Sequence, residues 1–141
     1  MRFIVPGVPC AKARPRMTKK GHVYTPKETL DFQNRVRVCF HAAYPGHRPI
    51  EGPVAVAVIA RFLPPKSAKA TLKRVVAEKG MYPHTKKPDL DNIVKAVLDA
   101  LNGVAWRDDS QVWSYAPSGI GYSRKVYADR NEVEVEIKEA T

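Results

Sequence analysis

Residues 87–112 read KPDLDNIVKAVLDALNGVAWRDDSQV, and this stretch contains the clearest helix pattern in the chain. Leucines and valines recur at helical spacing between Pro88 and Gly103, which favours a helix that Asp91 opens and Gly103 ends. Asp89 stands just before that helix, and an Asp-Asp pair follows its end. The stretch therefore predicts one amphipathic helix with acidic residues at its mouth and a second acidic pair a few residues beyond it.

The rest of the 141-residue chain alternates between strand-like and helix-like patterns. Strands are predicted at 1–8, 54–62, 110–116, 122–128 and 132–138, a hairpin around Gly21, and two further helices at 26–43 and 67–79. The last strands look hairpin-like, and Pro6 suggests that the first strand is an edge. These elements predict an α+β fold, with residues 1–141 forming a single compact domain whose mixed or antiparallel sheet packs with helices.

Local signals give expectations for the two other helices. Thr25 to Glu28 reads as a capping box with proline at the first helical position. Leu30, Val36 and Phe40 can share one face of that helix. Ser67 is the expected cap of the second helix.

Composition excludes several classes of protein. No apolar run approaches the roughly 18 residues that a membrane-spanning helix needs, so no membrane partner is expected. Two cysteines without a secretory signal favour reduced thiols and a cytoplasmic location. No glycine-rich phosphate loop, nucleophile elbow or His-Glu-x-x-His motif is present, so no small-molecule cofactor is expected.

The charge of the chain points to a polyanionic partner. The formal net charge is +10, and the basic residues cluster: seven precede the first acid, Glu28, and eight lie between Arg61 and Lys87 against one glutamate. Clustered cations around an acidic motif suit a nucleic-acid backbone, although a solvated, solubilising surface is the plainer alternative. The candidate backbone contacts are Lys12, Arg14, Arg16, Lys19, Lys20, Lys86, Lys87 and Arg107.

The aspartates suit a hard divalent cation. Mg²⁺ typically takes one or two carboxylates together with waters and substrate phosphate oxygens. Asp89 and Asp91 can lie on one side of an extended or capping segment, and the downstream pair, Asp108 and Asp109, can return to them if the chain packs beside the helix start. Helix capping is the competing interpretation of Asp91.

Two neighbouring side chains have competing interpretations of their own. Lys95, one turn after Asp91, can contact a phosphate or form an ordinary salt bridge with that aspartate. Asp99 is interpreted as a solvated helix residue and His84 as a loop residue. Phe62, Tyr82, Trp106 and Trp113 are expected to serve core or interface packing rather than to stack on bases.

The segments KKPDLDNIVKAVLDALNGV and DDSQV, with VPGVP, KARPR and YTP near the N-terminus, resemble the RusA family of Holliday junction resolvases, found widely in phages and prophages. The resemblance implies a homodimeric α+β endonuclease that uses Mg²⁺, with Mn²⁺ able to substitute, and nicks four-way DNA junctions in symmetric pairs. It assigns the catalytic roles to Asp89, Asp91, Lys95 and Asp109 and a supporting role to Asp108. The metal ligands it implies are Asp89, Asp91 and Asp109, with Asp108 as a further candidate.

The chain departs from that family pattern in two places. Ala13 stands where many relatives would have glycine, and Pro117–Gly121 looks like extra length between two strands. The hypothesis is therefore a metal-dependent endodeoxyribonuclease for branched DNA. The alternatives are a nuclease that prefers flaps and a DNA-binding module without cleavage.

Overall fold

Three α-helices and eight strands make up residues 1–140, the part of the chain that the computed structural model describes. The strands are β1 (Arg2–Pro6), β2 (Arg16–Met17), β3 (Val23–Tyr24), β4 (Val54–Phe62), β5 (Tyr82–Pro83), β6 (Val112–Ser114), β7 (Arg124–Tyr127) and β8 (Glu132–Glu139). The helices are α1 (Lys27–Ala43), α2 (Ala70–Lys79) and α3 (Leu90–Leu101), and a 3₁₀ turn covers Asp109–Gln111. Helices and strands alternate along one chain, which confirms the predicted α+β class.

Strand β4 is the centre of the sheet. Its nine residues are mostly valine, alanine and isoleucine and nearly all are buried, as a strand with neighbours on both sides requires. The strand order is β1-β8-β4-β7-β5, so β1 is an edge, as Pro6 suggested. Strand β8 runs antiparallel to β4 along its whole length, whereas β6 and β7 run parallel to it on the other side. The sheet is therefore mixed.

The predicted hairpin arrangement at the C-terminal end is wrong. Strands β7 and β8 follow each other in the chain but lie on opposite sides of β4. The hairpin predicted around Gly21 is confirmed: β2 pairs with β3, with Arg16 opposite Tyr24. Sequence patterns reveal where strands occur, but the partner of each strand depends on contacts between distant segments.

The edge of β4 is shared by two short strands. Strand β6 pairs beside Val54 and Ala55, and β7 pairs from Ile59 onward. Between them the Val58 N–H donates to Ser123 Oγ at 3.0 Å. A serine side chain thus satisfies a backbone donor where one strand ends and the next begins, and the segment 115–123 leaves the sheet at that point.

The hydrophobic core lies between one face of the sheet and helices α1 and α3. Ile93, Val97 and Leu101 of α3 are fully buried, as are Val36 and Phe40 of α1. Strand β8 alternates, with its valines and isoleucine in this core. Its glutamates lie on the opposite face, where Glu132 and Glu134 accept from Arg61 at 2.9 and 3.0 Å.

The beginning of α1 differs from its sequence prediction. The N-cap is Pro26 and no side chain caps the helix, so the expected capping box is wrong. Thr29 Oγ1 instead accepts a hydrogen bond from the Ala13 N–H at 3.2 Å. Leu30 is 43% exposed, which corrects its assignment to the core face that Val36 and Phe40 do share.

The other two helices also begin elsewhere than predicted. Helix α2 begins at Ala70 with Lys69 as its cap, so Ser67 is not the cap. Helix α3 begins at Leu90 with Asp89 at the N-cap, which places Asp91 inside the first turn rather than at the opening. Its end is confirmed, since Gly103 adopts a φ of +75° after the last helical turn. None of the helices in residues 1–140 is both long and apolar enough to cross a membrane.

Candidate active site

A cavity of about 790 Å³ opens beside helix α3 and contains two of the four aspartates that the sequence singles out, Asp91 and Asp109. Asp91, Lys95 and Asp99 line it from one helix face, because they are spaced four residues apart. Asp109 lines it from the 3₁₀ turn that follows the helix. The fold thus brings one member of the downstream pair, Asp109, back to α3.

Asp109 is held in place by the core. Its Oδ1 accepts a hydrogen bond from the indole N–H of Trp106 at 2.8 Å, and Trp106 is fully buried. Its backbone N–H donates to Asn102 Oδ1 at 3.1 Å. Burial raises the pKa of Asp109, and the neighbouring carboxylates of Asp99 and Asp108 add to this, while the Trp106 N–H opposes it. A cation in the cavity would stabilise the ionised form of Asp109, which burial and the neighbouring carboxylates disfavour.

Asp108 has a local structural role instead. Its carboxylate accepts the Ser110 N–H at 2.9 Å, and its own N–H donates to Gln111 Oε1 at 2.8 Å. This is a capping box around the 3₁₀ turn, and the hydrogen bonds from Ser110 lower the pKa of Asp108. Asp108 therefore fixes the turn that presents Asp109.

Asp89 lies at the N-cap of α3 but does not line the cavity. Its carboxylate pairs with Lys87 Nζ at 3.0 Å, and both side chains are largely exposed. The Lys125 ammonium donates to the carbonyl oxygens of Lys86 and Pro88 and so anchors the segment that leads into the helix. The structure therefore separates Asp89 from the cavity that Asp91 and Asp109 share.

Lys95 is available for a ligand. Among residues 1–140 it forms no ion pair, so the salt bridge to Asp91 that competed with its functional interpretation is not formed. Lys95 also lines a second, smaller cavity together with Lys12 and Arg14. Lys95 thus borders both the acidic cavity and the basic N-terminal segment.

Asp99 belongs to the site, which the sequence interpretation missed. It lines the acidic cavity and forms an ion pair with Lys12. The Lys12 N–H also donates to the carbonyl oxygen of Asn92 at 2.9 Å, so the basic segment is attached to α3 at two points. The available signal was the eight-residue spacing from Asp91, which puts both aspartates on one helix face.

The other basic residues predicted to contact DNA are distributed unevenly around the site. Arg14 lines the small cavity beside Lys95, while Arg16, Lys19 and Lys20 lie on the exposed β2–β3 hairpin. Arg107 lies elsewhere: it pairs with Glu51 at 2.7 Å and lines a separate cavity. Lys12 and Arg14 therefore lie beside the N-terminal half of α3, and Lys86 and Lys87 lie in the segment that leads into it.

The expected packing role of the four aromatic residues holds for two of them. Phe62 and Trp106 are buried in the core. Tyr82 and Trp113 are exposed in the single chain, so they do not pack in its core, and packing at an interface stays a prediction for them.

His84 is more than a loop residue. It is buried between the rings of Phe62 and Tyr127, at centroid distances of 4.5 and 4.3 Å. Sequence alone does not reveal this stack, because its members come from three separate strands or loops.

The donor set of the cavity suits a hard cation, although the carboxylates are not gathered around one point. Within residues 1–140 no three His, Cys, Asp or Glu side chains are grouped closely enough to hold a metal ion. Mg²⁺ needs only one or two carboxylates when waters and phosphate oxygens complete its shell. Asp91 and Asp109 meet that requirement by their chemistry and by lining the same cavity.

The acidic cavity, its unpaired lysine and the surrounding cations are typical of enzymes that cut phosphodiester bonds. The chain belongs to the RusA endodeoxyribonuclease family, whose model, "Endodeoxyribonuclease RusA", matches residues 6–138. A relative, the "Uncharacterized protein YqaN" of Bacillus subtilis (strain 168), is 36% identical over 148 residues, spanning 100% of this chain and 97% of that protein. The family membership confirms the resemblance and indicates an endodeoxyribonuclease that acts on Holliday junctions.

Proposed function

We propose that this protein is a metal-dependent endonuclease that resolves four-way DNA junctions by paired, symmetric nicks. The observation that supports this most directly is the cavity in which Asp91, Lys95 and Asp109 lie together in a chain of the RusA family. Asp89 would join them through movement of the exposed N-cap segment, where it now pairs with Lys87.

The chemistry is hydrolysis of a phosphodiester bond. Asp91 and Asp109 would hold Mg²⁺, or Mn²⁺ in its place. What the cation supplies when bound is a lower pKa for an attacking water and stabilisation of charge at the phosphate. The water oxygen bonds to phosphorus, the bond to the 3′ oxygen breaks, and that oxygen takes a proton. The products are a 5′ phosphate and a 3′ hydroxyl, which can be ligated.

Lys95 would act on the phosphate itself. Its ammonium faces the cavity without a carboxylate partner, so it can donate to a phosphate oxygen and stabilise the charge that develops there. Lys12 and Arg14 extend the positive surface away from Lys95 along the small neighbouring cavity. The strand entering the site would thus be held by its phosphates before the cation contacts it.

A two-fold symmetric junction needs two cuts, and a C₂ homodimer with one site per subunit supplies both. We place the reaction in the cytoplasm, where DNA and Mg²⁺ are available to a chain with two reduced thiols.

The test is cleavage of a mobile four-way junction labelled on each strand in turn, in Mg²⁺, Mn²⁺ and EDTA. We expect nicks at symmetric positions on opposing strands, no product in EDTA, and a loss of at least a hundredfold in Asp91→Asn with junction affinity retained. Arg130→Gln is the matched control, because Arg130 is an exposed cation that lines neither cavity.

The two alternatives give different results in the same assay. Faster cutting of flaps or forks than of four-way junctions would establish a nuclease with another branch preference. Tight junction binding with no product in either metal would leave a DNA-binding module without cleavage.

A further inference from the structure

The acidic cavity has an apolar part that phosphodiester hydrolysis does not use. Leu90, Val94 and Leu98 line it from α3, and Tyr115 and Tyr122 line it from the segment that leaves the sheet. The phosphates of a DNA backbone are charged and gain nothing from an apolar surface. This part of the cavity therefore fits another chemical group of the same substrate.

Both tyrosines are exposed to solvent over half or more of their surface. Tyr115 is 51% exposed and Tyr122 is 65% exposed. Aromatic rings left in water beside a charged site are typical of surfaces that bind flat ligands by stacking. The guanidinium of Arg124 lies 5.5 Å from the centroid of the Tyr122 ring, so one interaction already orients that ring.

The segment between the tyrosines is fixed rather than loose. The Ser123 N–H donates to the Tyr115 carbonyl oxygen at 3.2 Å and closes the segment at its base. The N–H groups of Gly119 and Ile120 donate to the Glu136 carboxylate at 3.0 and 2.7 Å. Glu136, which is only 7% exposed, also accepts from Arg2 at 3.1 Å.

The contact between this segment and Glu136 is close. A Cβ added at Gly119 would lie 2.2 Å from both oxygens of that carboxylate, so any side chain there would displace the Glu136 carboxylate from this contact. The Lys138 ammonium donates to Ser118 Oγ at 2.7 Å and adds another tie to β8. The stretch Pro117–Gly121 looked like extra length in the sequence. Hydrogen bonds hold this stretch, which we call the clasp, against Glu136 and Lys138 of β8. It lies between the two tyrosines and so restricts the positions of both.

We propose that Tyr115 and Tyr122 stack on a nucleobase exposed at the branch point, next to the phosphate that Lys95 holds. A base offers the flat apolar face that matches these rings, and its phosphate suits the charged half of the same cavity. Bases at a branch point lose neighbours with which they would stack in a continuous duplex, so they are the bases within reach. This inference rests on the proposed function and adds to it a pair of residues that recognise the branch point.

The first experiment is photocrosslinking with the non-cutting Asp91→Asn variant, four-way junctions carrying 5-iododeoxyuridine at or beside the branch, and mass spectrometry. We expect crosslinks to Tyr115 or Tyr122 from branch positions and none from the same substitution in a linear duplex. Bound junctions that give no crosslink to either tyrosine from any branch position would overturn the proposal.

The second experiment measures junction affinity in the same background. Tyr115→Ala and Tyr122→Ala should each weaken binding roughly tenfold, while the Phe variants, which keep the ring, should stay within about twofold of the parent. Trp113→Ala is the control, since Trp113 is 67% exposed on the neighbouring strand but lies outside the cavity. Equal losses in all three Ala variants would contradict a specific stack.

A cleavage assay of the otherwise wild-type chain distinguishes this inference from the proposed function on which it rests. If the chain cuts junctions but gives no crosslinks, and the Tyr→Ala variants keep their affinity, the stacking proposal is rejected and the resolvase function stands. Crosslinks and affinity losses in a chain that does not cut junctions would establish the stack and remove the resolvase.

Discussion

The fully buried Trp106 donates its indole N–H to Asp109 at 2.8 Å, which ties a carboxylate of the acidic cavity to the hydrophobic core. They are three positions apart in the chain, and the 3₁₀ turn capped by Asp108 sets their relative position. The orientation of Asp109 therefore depends on core packing as well as on local turn geometry.

Trp106→Phe should reduce both stability and cleavage. The variant keeps an aromatic ring but removes the donor and leaves part of the indole volume empty, at a cost of about 1–3 kcal/mol in the free energy of unfolding. Cleavage should fall about tenfold or more because Asp109 loses its orientation. Urea unfolding and single-turnover cleavage measure the two effects. Asp109→Asn is the control: its amide oxygen can still accept from Trp106, so it should lose cleavage and keep stability.

Lys12→Gln should weaken junction binding and reduce its dependence on salt. Lys12 borders Lys95 in the small basic cavity, and we expect its ammonium to exchange its pairing with Asp99 for a DNA phosphate on binding. One lost phosphate contact lowers the magnitude of the slope of log K against log salt by about 0.9. Titrations between low and moderate salt give the slope. Arg130→Gln removes a charge outside both cavities and should leave the slope unchanged. A similar change in both variants would mean that overall charge, not a contact at Lys12, sets the salt dependence.

His84 should make the fold sensitive to mild acid. Burial, followed by the positive charge of Lys125, lowers the pKa of His84 below its ordinary value of 6.5. The unfolded chain therefore binds a proton at this histidine more readily than the folded chain does. The contribution of neutral His84 to the free energy of unfolding is fully present above about pH 6.5 and is lost as the pH falls toward the lower pKa of the folded state. His84→Phe keeps the stack with Phe62 and Tyr127 but cannot titrate. Its urea midpoint should fall less between pH 7.5 and 5.5 than that of the wild type, and parallel curves would contradict this.

Glu136→Gln should loosen the clasp at neutral pH but have little effect in acid. Burial alone would raise the pKa of Glu136, but the Ile120 N–H, Arg2 and the Gly119 N–H outweigh it and lower the pKa below 4.5. The charged form thus stabilises the fold above about pH 4.5, and this contribution is lost as the pH falls through the depressed pKa.

The neutral-pH cost of Glu136→Gln should be about 1–3 kcal/mol, from weaker hydrogen bonds to the clasp and the loss of the Arg2 pair. Denaturant titrations at pH 7 and pH 3.5 measure it. The gap between variant and wild type should narrow at the lower pH, and a constant gap would show that charge is not its cause. Gly119→Ala should weaken the same contact through its clash with the carboxylate, and the part of its cost that comes from the lost hydrogen bonds should likewise shrink at the lower pH.

Local patterns in the sequence were enough for several elements. The boundaries of β4 match the run of valine and alanine, and Gly103 ends α3 where expected. Helix starts were predicted less well, because Thr25 and Ser67 have the right chemistry for capping but tertiary contacts place the chain differently. Thr29, for example, accepts the Ala13 N–H and attaches the basic segment to α1.

The sequence by itself determined the family, the amphipathic α3 and the residues that line its functional face, because 3.6-residue periodicity and a long local motif are properties of adjacent residues. Only the tertiary structure decided which aspartates meet: Asp99 joins the cavity, Asp108 caps a turn, and Asp89 remains outside. It also decided that Tyr115 and Tyr122 share that cavity. These outcomes depend on strand order and on the clasp of Glu136, which join segments far apart in the chain and leave no periodic signal within any one of them.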